Sequence, residues 1–403
     1  MKTLILIAWR NVWRNRLRSG VVILSVVLGL WSGLFVMAMT QGLNEQRMQS
    51  AITTYLSHLQ IHNPGFLENY DKLDTLSHTS VLEGQLDTLP HVRSYSERLI
   101  LQGMASTARG NYGVQIMGIF PEQEKEVTSI AGQLTEGTYL NQLKHNPVLI
   151  GEELARRLDA RIHSKVVLNF QDASNNTIAA SFRVEGIFKT INSAFDQGTI
   201  FVKYEDIAGL TGLQGKLHEV AVLCDNIQQA APVKARIRTA DQVETWDELA
   251  PELGYAQRTM SSFIYIFMGI ILLALAFGIV NTMLMAVLER KRELGMLLSV
   301  GMNKKRVFAM ILLETCFLVL IATPAGIMLA FLTIRYFGEH GIDLSVVAKG
   351  LESLGMGARV FTSLPATMYL DITLMTLAVA LLSAIVPARR ALKLNPAEAV
   401  KPI

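Results

Sequence analysis

The sequence predicts a membrane protein with four transmembrane α-helices and a large α+β extracytoplasmic domain, carried on helical stalks between the first and second spans. Three observations lead there. Half of the residues are hydrophobic and only 18% are charged, with mean hydropathy +0.32; soluble domains carry about a quarter charged residues. The apolar residues gather into four runs, at 20–40, 263–287, 307–331 and 368–386, each near the ~20 residues that cross a bilayer. Residues 43–262, between the first two runs, have the mixed polarity and short periodic segments of a water-exposed domain.

Residues 1–19 read as a cytoplasmic amphipathic helix. At helical spacing Ile5, Leu6, Trp9, Val12, Trp13 and Leu17 share one face, and Arg10, Asn11, Arg14, Asn15 and Arg18 the other. A basic helix with two tryptophans suits a membrane surface. The first span, 20–42, has an apolar core too long for a signal peptide, whose apolar region is about 7–15 residues, so it is read as an uncleaved anchor.

The domain at 43–262 opens with GLNEQRMQSAITTYL and closes with VETWDELAPELGYAQRTMSSF, polar helical patterns that run on from the first span and into the second. Pro251 is expected to break or kink the second stalk. Between them HLQIHNPG, SFRVEGIFKT and GTIFVKY have strand alternation, and LIGEELARRLDARIHSKVVLNF reads strand, helix, strand. The second span is 263–288, followed by a charged loop at 289–306. The third span, 307–332, a short outer loop at 333–367, the fourth span, 368–388, and a basic tail at 389–403 complete the chain.

Lysine and arginine fix the orientation. Arg10, Arg14 and Arg16 precede the first span, Arg290, Arg292, Lys304 and Arg306 lie between the second and third, and Arg389, Arg390 and Lys393 follow the fourth. Four spans put all of them on one side. Both termini and the 289–306 loop are therefore expected in the cytoplasm, and the large domain outside.

The net charge of +3 is too small to imply nucleic acid. No phosphate-binding G-x-x-x-x-G-K-[ST], no H-E-x-x-H and no G-x-S-x-G occurs, so no catalytic role is expected for this chain. His58 and His62 lie in a strand rather than on a helix and lack a third metal ligand. Glu152 and Glu153 read as charges at a helix N-terminus. Cys224 and Cys316 are not expected to pair. An acid within a span is costly, and Glu314 is either an interfacial carboxylate neutralised by a nearby base or a group in proton coupling or helix-to-helix transmission. Asn281, in the second span, reads as an interhelical hydrogen-bonding residue.

The segment ERKRELGMLLSVGMNKKRVFAMILLET resembles the loop and third span of the FtsX-like family, which includes the macrolide-exporter, lipoprotein-releasing and cell-division permeases of bacterial ABC systems. The family form E-R-x-R-E-[IL]-G-x5-G is met by Glu289, Arg290, Arg292, Glu293, Leu294, Gly295 and Gly301. Its closing P-A-R-R-A…P-x-E-A-[LV] resembles Pro387, Ala388, Arg389, Arg390 and Ala391, then Pro396, Glu398, Ala399 and Val400. The likeness covers nearly the whole chain and is closest in layout to the lipoprotein-releasing permeases.

That resemblance implies a coupling helix in the 289–306 loop. Leu297 joins the residues just named as part of the surface that docks on an ATPase subunit. ATP and magnesium would sit in two copies of that partner, with no cofactor in this chain. It further implies a second permease chain, identical or homologous, in the bacterial inner membrane, and stalks that carry motion outward. The expected activity is extraction of lipoproteins or another lipid-anchored substrate, aided by a periplasmic carrier or adaptor. Export of a peptide, drug or toxin, or signalling to a periplasmic hydrolase, is the alternative. Acyl chains would enter near Trp31, Phe35, Met39, Phe263 and Phe267.

Overall fold

A computed structural model describes residues 2–140 and 146–392. The chain divides into two compact units, Met1–Asn44 with Arg258–Asp343 and Arg359–Ile403, and Glu45–Gln257 with Leu344–Ala358.

Among the described residues, four helices are long and apolar enough to cross a membrane. They are Arg16–Ala51, Pro251–Glu289, Lys304–His340 and Ala366–Leu392. The first has 36 residues, about 54 Å at 1.5 Å per residue, far more than the ~30 Å hydrocarbon layer needs. Polar residues 43–51 are therefore part of the same continuous helix.

Small residues let these helices approach closely. A Cβ on Gly33 would meet Ile271 at 3.3 Å, and one on Gly326 would meet Leu30 at 3.1 Å. Val26, Leu30, Leu34, Met268, Ile311 and Val319 form part of the resulting core.

The amino-terminal helix is Lys2–Arg14, shorter than the 1–19 expected, because Arg16 already begins the first long helix. The Ser19 hydroxyl donates to the Val12 carbonyl, one of the acceptors a helix end leaves open. Ala8 and Val12 are buried, and Trp9 lies edge-on to Phe317 at 5.4 Å. Ile5, Leu6, Trp13 and Leu17 remain exposed and form a broad apolar face. The side chain of Arg18 and everything after Leu392 lie outside the described residues. That includes Lys393 and the tail motif Pro396, Glu398, Ala399 and Val400.

The second unit is α+β. Its strands are β1 Leu59–His62, β2 Val92–Thr107, β3 Gly110–Ile119, β4 Leu134–Gly137, β5 Pro147–Gly151, β6 Lys165–Gln171, β7 Thr177–Phe188, β8 Thr199–Lys203, β9 Glu219–Cys224 and β10 Gln242–Thr245. Among the described residues they make one mixed sheet in the order β10-β1-β9-β2-β3-β8-β5-β7-β4, with β6 bridging β2 and β7. The β2–β3 hairpin is its longest antiparallel pairing, from Arg98↔Ile119 to Thr107↔Gly110. Helix Glu152–Leu158 follows β5 directly, with Glu152 and Glu153 in its first turn. Gly151 precedes it because a Cβ there would fall 2.1 Å from the Asp196 carbonyl oxygen.

Three expectations are corrected here. The stretch VETWDELA is not stalk: Gln242–Thr245 is strand β10, and Trp246–Leu249 is a single helical turn with a Thr245–Glu248 capping box. Pro251 does not kink a helix but opens the long one, where its missing N–H has no partner to lose. The outer loop at 333–367 is not a mere connector either. The third long helix continues to His340, and Leu344–Ala358 folds with the sheet domain, where helix Ala348–Ser353 packs against helix Ser193–Gly198.

Candidate functional site

The charged loop folds as a short helix, Lys291–Ser299, closed by a sharp turn. Gly301 takes φ +94° there, a conformation that costs other residues strain. Asn303 then caps the third long helix, its side-chain oxygen accepting from the Lys305 N–H at 3.0 Å.

The short helix has an inner and an outer face. Leu294 and Gly295 are buried, and Leu297 and Leu298 are half-buried against the helical core. Arg292, Glu293, Met296 and Val300 are exposed, Val300 at 84%. Leu294 and Gly295, grouped above with docking residues, are thus taken up by the chain's own packing. Leu294 anchors the helix in the core. The exposed surface of the helix is Arg292, Glu293, Met296 and Val300, flanked by exposed Glu289 and Gly301.

Two ion pairs hold this helix. Arg14 donates from Nη2 to both oxygens of Glu293, at 2.8 and 2.6 Å, with each side chain about half exposed. Arg290 places Nη1 3.0 Å from Glu314 Oε1 and donates from Nη2 to the Asn11 carbonyl at 3.1 Å. Both partners of the second pair are largely buried. One guanidinium therefore ties the loop to both the third long helix and the amino-terminal helix. A cavity of about 270 Å³ lies beside these groups, walled by Met283, Val287, Leu294, Met310 and Ile311.

The remaining predicted residues do not form one surface. Trp31 donates to Thr333 Oγ1 at 3.1 Å and stacks on Phe35, whose ring lies 5.7 Å from that of Phe337. These two rings pack within the chain against the third long helix. Met39 is half-buried, while Phe263 and Phe267 are exposed at 55% and 56%. Asn281 is also exposed, on the second long helix.

In the sheet domain His58 accepts the Cys224 N–H on Nδ1 at 2.9 Å, and His62 Nε2 lies 2.9 Å from Glu244. Among the described residues no group of three or more His, Cys, Asp or Glu is arranged to hold a metal ion. The cysteines Cys224 and Cys316 are free thiols.

Sequence reasoning missed Arg14 and Asn11 as partners of the loop. Their one signal was the polar stripe of the amino-terminal helix, which reads equally well as a topology anchor.

The MacB-like periplasmic core domain matches residues 19–240, and the FtsX-like permease C-terminal domain matches residues 265–396. The chain is 24% identical over 301 residues to the lipoprotein-releasing system transmembrane protein LolC of Xylella fastidiosa strain Temecula1, covering 70% of this chain and 72% of that protein. It is 22% identical over 415 residues to LolC of Neisseria meningitidis serogroup B, covering 96% and 95%. It is 23% identical over 361 residues to the macrolide export ATP-binding/permease protein MacB of a Shewanella species, covering 83% of this chain and 53% of that one. With a periplasmic core domain and four apolar helices on one chain, and matches that span both, the chain belongs to the FtsX-like, MacB/Lol family of ABC-transporter permeases.

Proposed function

We propose that this chain is the non-catalytic transmembrane subunit of an inner-membrane lipoprotein-releasing system, with both termini cytoplasmic. The observation that carries the reading is the outer face of helix Lys291–Ser299. It presents charge and apolar surface together, while Leu294 packs inward and Arg14 and Arg290 tie the helix to the elements behind it. A loop serving only to set topology needs the basic residues but not Glu289, Glu293, Met296 or Val300.

In this reading two copies of a separate ATPase subunit, holding ATP and magnesium, dock on that face. Their closure moves the long helices, and residues 43–51 and 251–262 pass the movement outward as stalks. A second permease chain, identical or homologous, completes the transporter. Asn281 finds its hydrogen-bonding partner on that second chain, since a polar side chain facing lipid is unfavourable. Phe263 and Phe267 meet the acyl chains of the substrate from the outer leaflet, which a periplasmic carrier then receives. The likeness to LolC supports lipoprotein release, and the likeness to MacB keeps export through a periplasmic adaptor as the alternative.

The test is purification from its native host in lipid nanodiscs, followed by mass spectrometry. Co-purified ATPase, with lipoprotein that leaves on adding ATP, is the expected result. An ATPase-bound complex that carries no lipoprotein would move export ahead. A chain that binds no ATPase would overturn the coupling assignment.

A further inference from the structure

The first stalk ends in an unusual way. Helix Arg16–Ala51 widens into a π-turn at Ile52–Leu56, closed by Ser57 N–H donating to the Ile52 carbonyl at 2.9 Å. Ser57 then takes φ +55°, a region non-glycine residues seldom enter, and β1 begins two residues later. The last carbonyls of a helix have no partner within it, and a stalk ending in open carbonyls would ordinarily be loose.

Here the carbonyls are captured. Thr53 accepts from Ser129 N–H at 2.8 Å and Ser129 Oγ at 3.1 Å. Tyr55 accepts from Gln60 Nε2 at 3.0 Å and from Arg98 Nη1 at 3.1 Å. Arg98 is a β2 residue that is 1% exposed. Its Nη1 also donates to Glu219 of β9 at 2.6 Å, while Nε and Nη2 take both oxygens of Glu124, at 3.0 and 2.7 Å. Ser96 Oγ adds a third donor to Glu124 at 2.7 Å. A charge buried this deeply is expensive unless fully paired, and this one is paired on three sides. The Tyr55 ring stacks on Phe195 at 5.3 Å, and Ala51 and Leu56 pack with Ala250 and Leu253.

We propose that Arg98 makes the end of the first stalk a rigid joint, binding residues 52–57 to strands β2 and β9 so that stalk movement enters the sheet instead of dissipating in the turn. It is a positioning residue, and the inference rests on the reading of the long helices as stalks. A lysine at 98 retains the charge but not the planar fork that reaches Glu124, Glu219 and Tyr55 at once.

The experiment is hydrogen exchange on the full chain in nanodiscs with its ATPase, with and without ATP, for wild type and Arg98→Lys. Without nucleotide, Arg98→Lys is expected to speed exchange at residues 52–58 about tenfold, the size of one lost charge-assisted hydrogen bond, with β5, β7 and β8 still protected. With nucleotide, any change seen in wild-type β2 and β9 should be lost. Exchange at 52–58 within twofold of wild type, or a nucleotide response that survives a loosened turn, would overturn the joint.

If Arg98→Lys unfolds the sheet, the triple variant Arg98→Met, Glu124→Leu and Glu219→Leu decides. It removes the capture of the Tyr55 carbonyl while leaving no buried charge unpaired, and exchange at 52–58 within twofold of wild type would overturn the joint. A wild type with no nucleotide response sinks the stalk reading alone, because the exchange without nucleotide still reports the clamp.

Discussion

Arg14 grips both carboxylate oxygens of Glu293 across 279 positions of sequence, so the amino-terminal helix and the short helix of the charged loop are held as a pair. The pair is half exposed, and such contacts are worth under about 1 kcal/mol. Arg14→Glu is therefore expected to leave thermal unfolding nearly unchanged while lowering ATPase binding and ATP turnover several-fold. The exchange Arg14→Glu with Glu293→Arg should recover most of the loss. Pull-down of the ATPase and its turnover rate check this, and no recovery in the double variant would mean Glu293 acts only by touching the partner.

Arg290 and Glu314 are a different case, because both are largely buried. Removing one partner of such a pair costs about 3–5 kcal/mol, whereas replacing both with apolar residues of similar size is often neutral. Glu314→Ala should thus lower the unfolding temperature strongly, and Arg290→Met with Glu314→Leu should return it near wild type. The double variant also separates two roles for Glu314. If it is stable and still couples ATP turnover to substrate release, the carboxylate serves packing; if it is stable but uncoupled, the charge itself takes part in transmission.

How much of this was legible in sequence depends on the range of the cause. The four spans and the charged loop follow from composition over 20-residue windows, and β5, the helix after it and β6 follow from local alternation ending at Gly151. What failed was set at long range. Residues 242–245 look helical alone, yet β1 supplies them with an antiparallel partner, Leu59↔Thr245. The β2–β3 hairpin turns at Ala108 and Arg109, without the Asn-Gly or Asp-Gly signal that marks tight hairpins. Residues 344–358 carry no periodic pattern, and their place in the sheet domain comes from contacts no local window contains. The short helix of the charged loop shows the same limit: the spacing marked the helix, but only the packing shows that Leu294 and Gly295 are buried.

His218 predicts a pH effect on the sheet domain. Its Nδ1 accepts the Ile100 N–H and its Nε2 donates to the Lys72 carbonyl, both at 3.0 Å, while the ring stacks on Phe66. This arrangement needs the neutral ring, and burial pushes its pKa below the usual value. The unfolded chain gains a proton near pH 6.5 that the folded one refuses, so the stabilisation is complete above that value and is lost as pH falls below it. The loss is at most about 1.4 kcal/mol per pH unit. His218→Gln should be less stable at pH 8 and should narrow its gap from wild type at pH 5. Hydrogen exchange across β2 and β9 at the two values measures this; a constant gap would refute it.

Gly42 predicts the most severe single-methyl effect in the helical unit. A Cβ there would lie 1.9 Å from the Phe361 carbonyl oxygen, and one on Gly338 would lie 2.9 Å from that of Thr362. Between these two glycines the chain at 361–363 is threaded against both helices. Ser363 N–H donates to the Ala38 carbonyl at 3.1 Å, and Thr362 Oγ1 donates to the Ile334 carbonyl at 2.7 Å. Backbone stands on both sides of the Gly42 contact, so no side chain can swing away to make room. Gly42→Ala should cost on the order of 1–3 kcal/mol, with Gly338→Ala milder. Gly269→Ala, where a Cβ meets nothing within 4 Å, should be neutral or slightly stabilising, since alanine favours the helix. Thermal unfolding of the three variants in one detergent gives the ranking, and Gly42→Ala matching Gly269→Ala would show that the threaded segment yields.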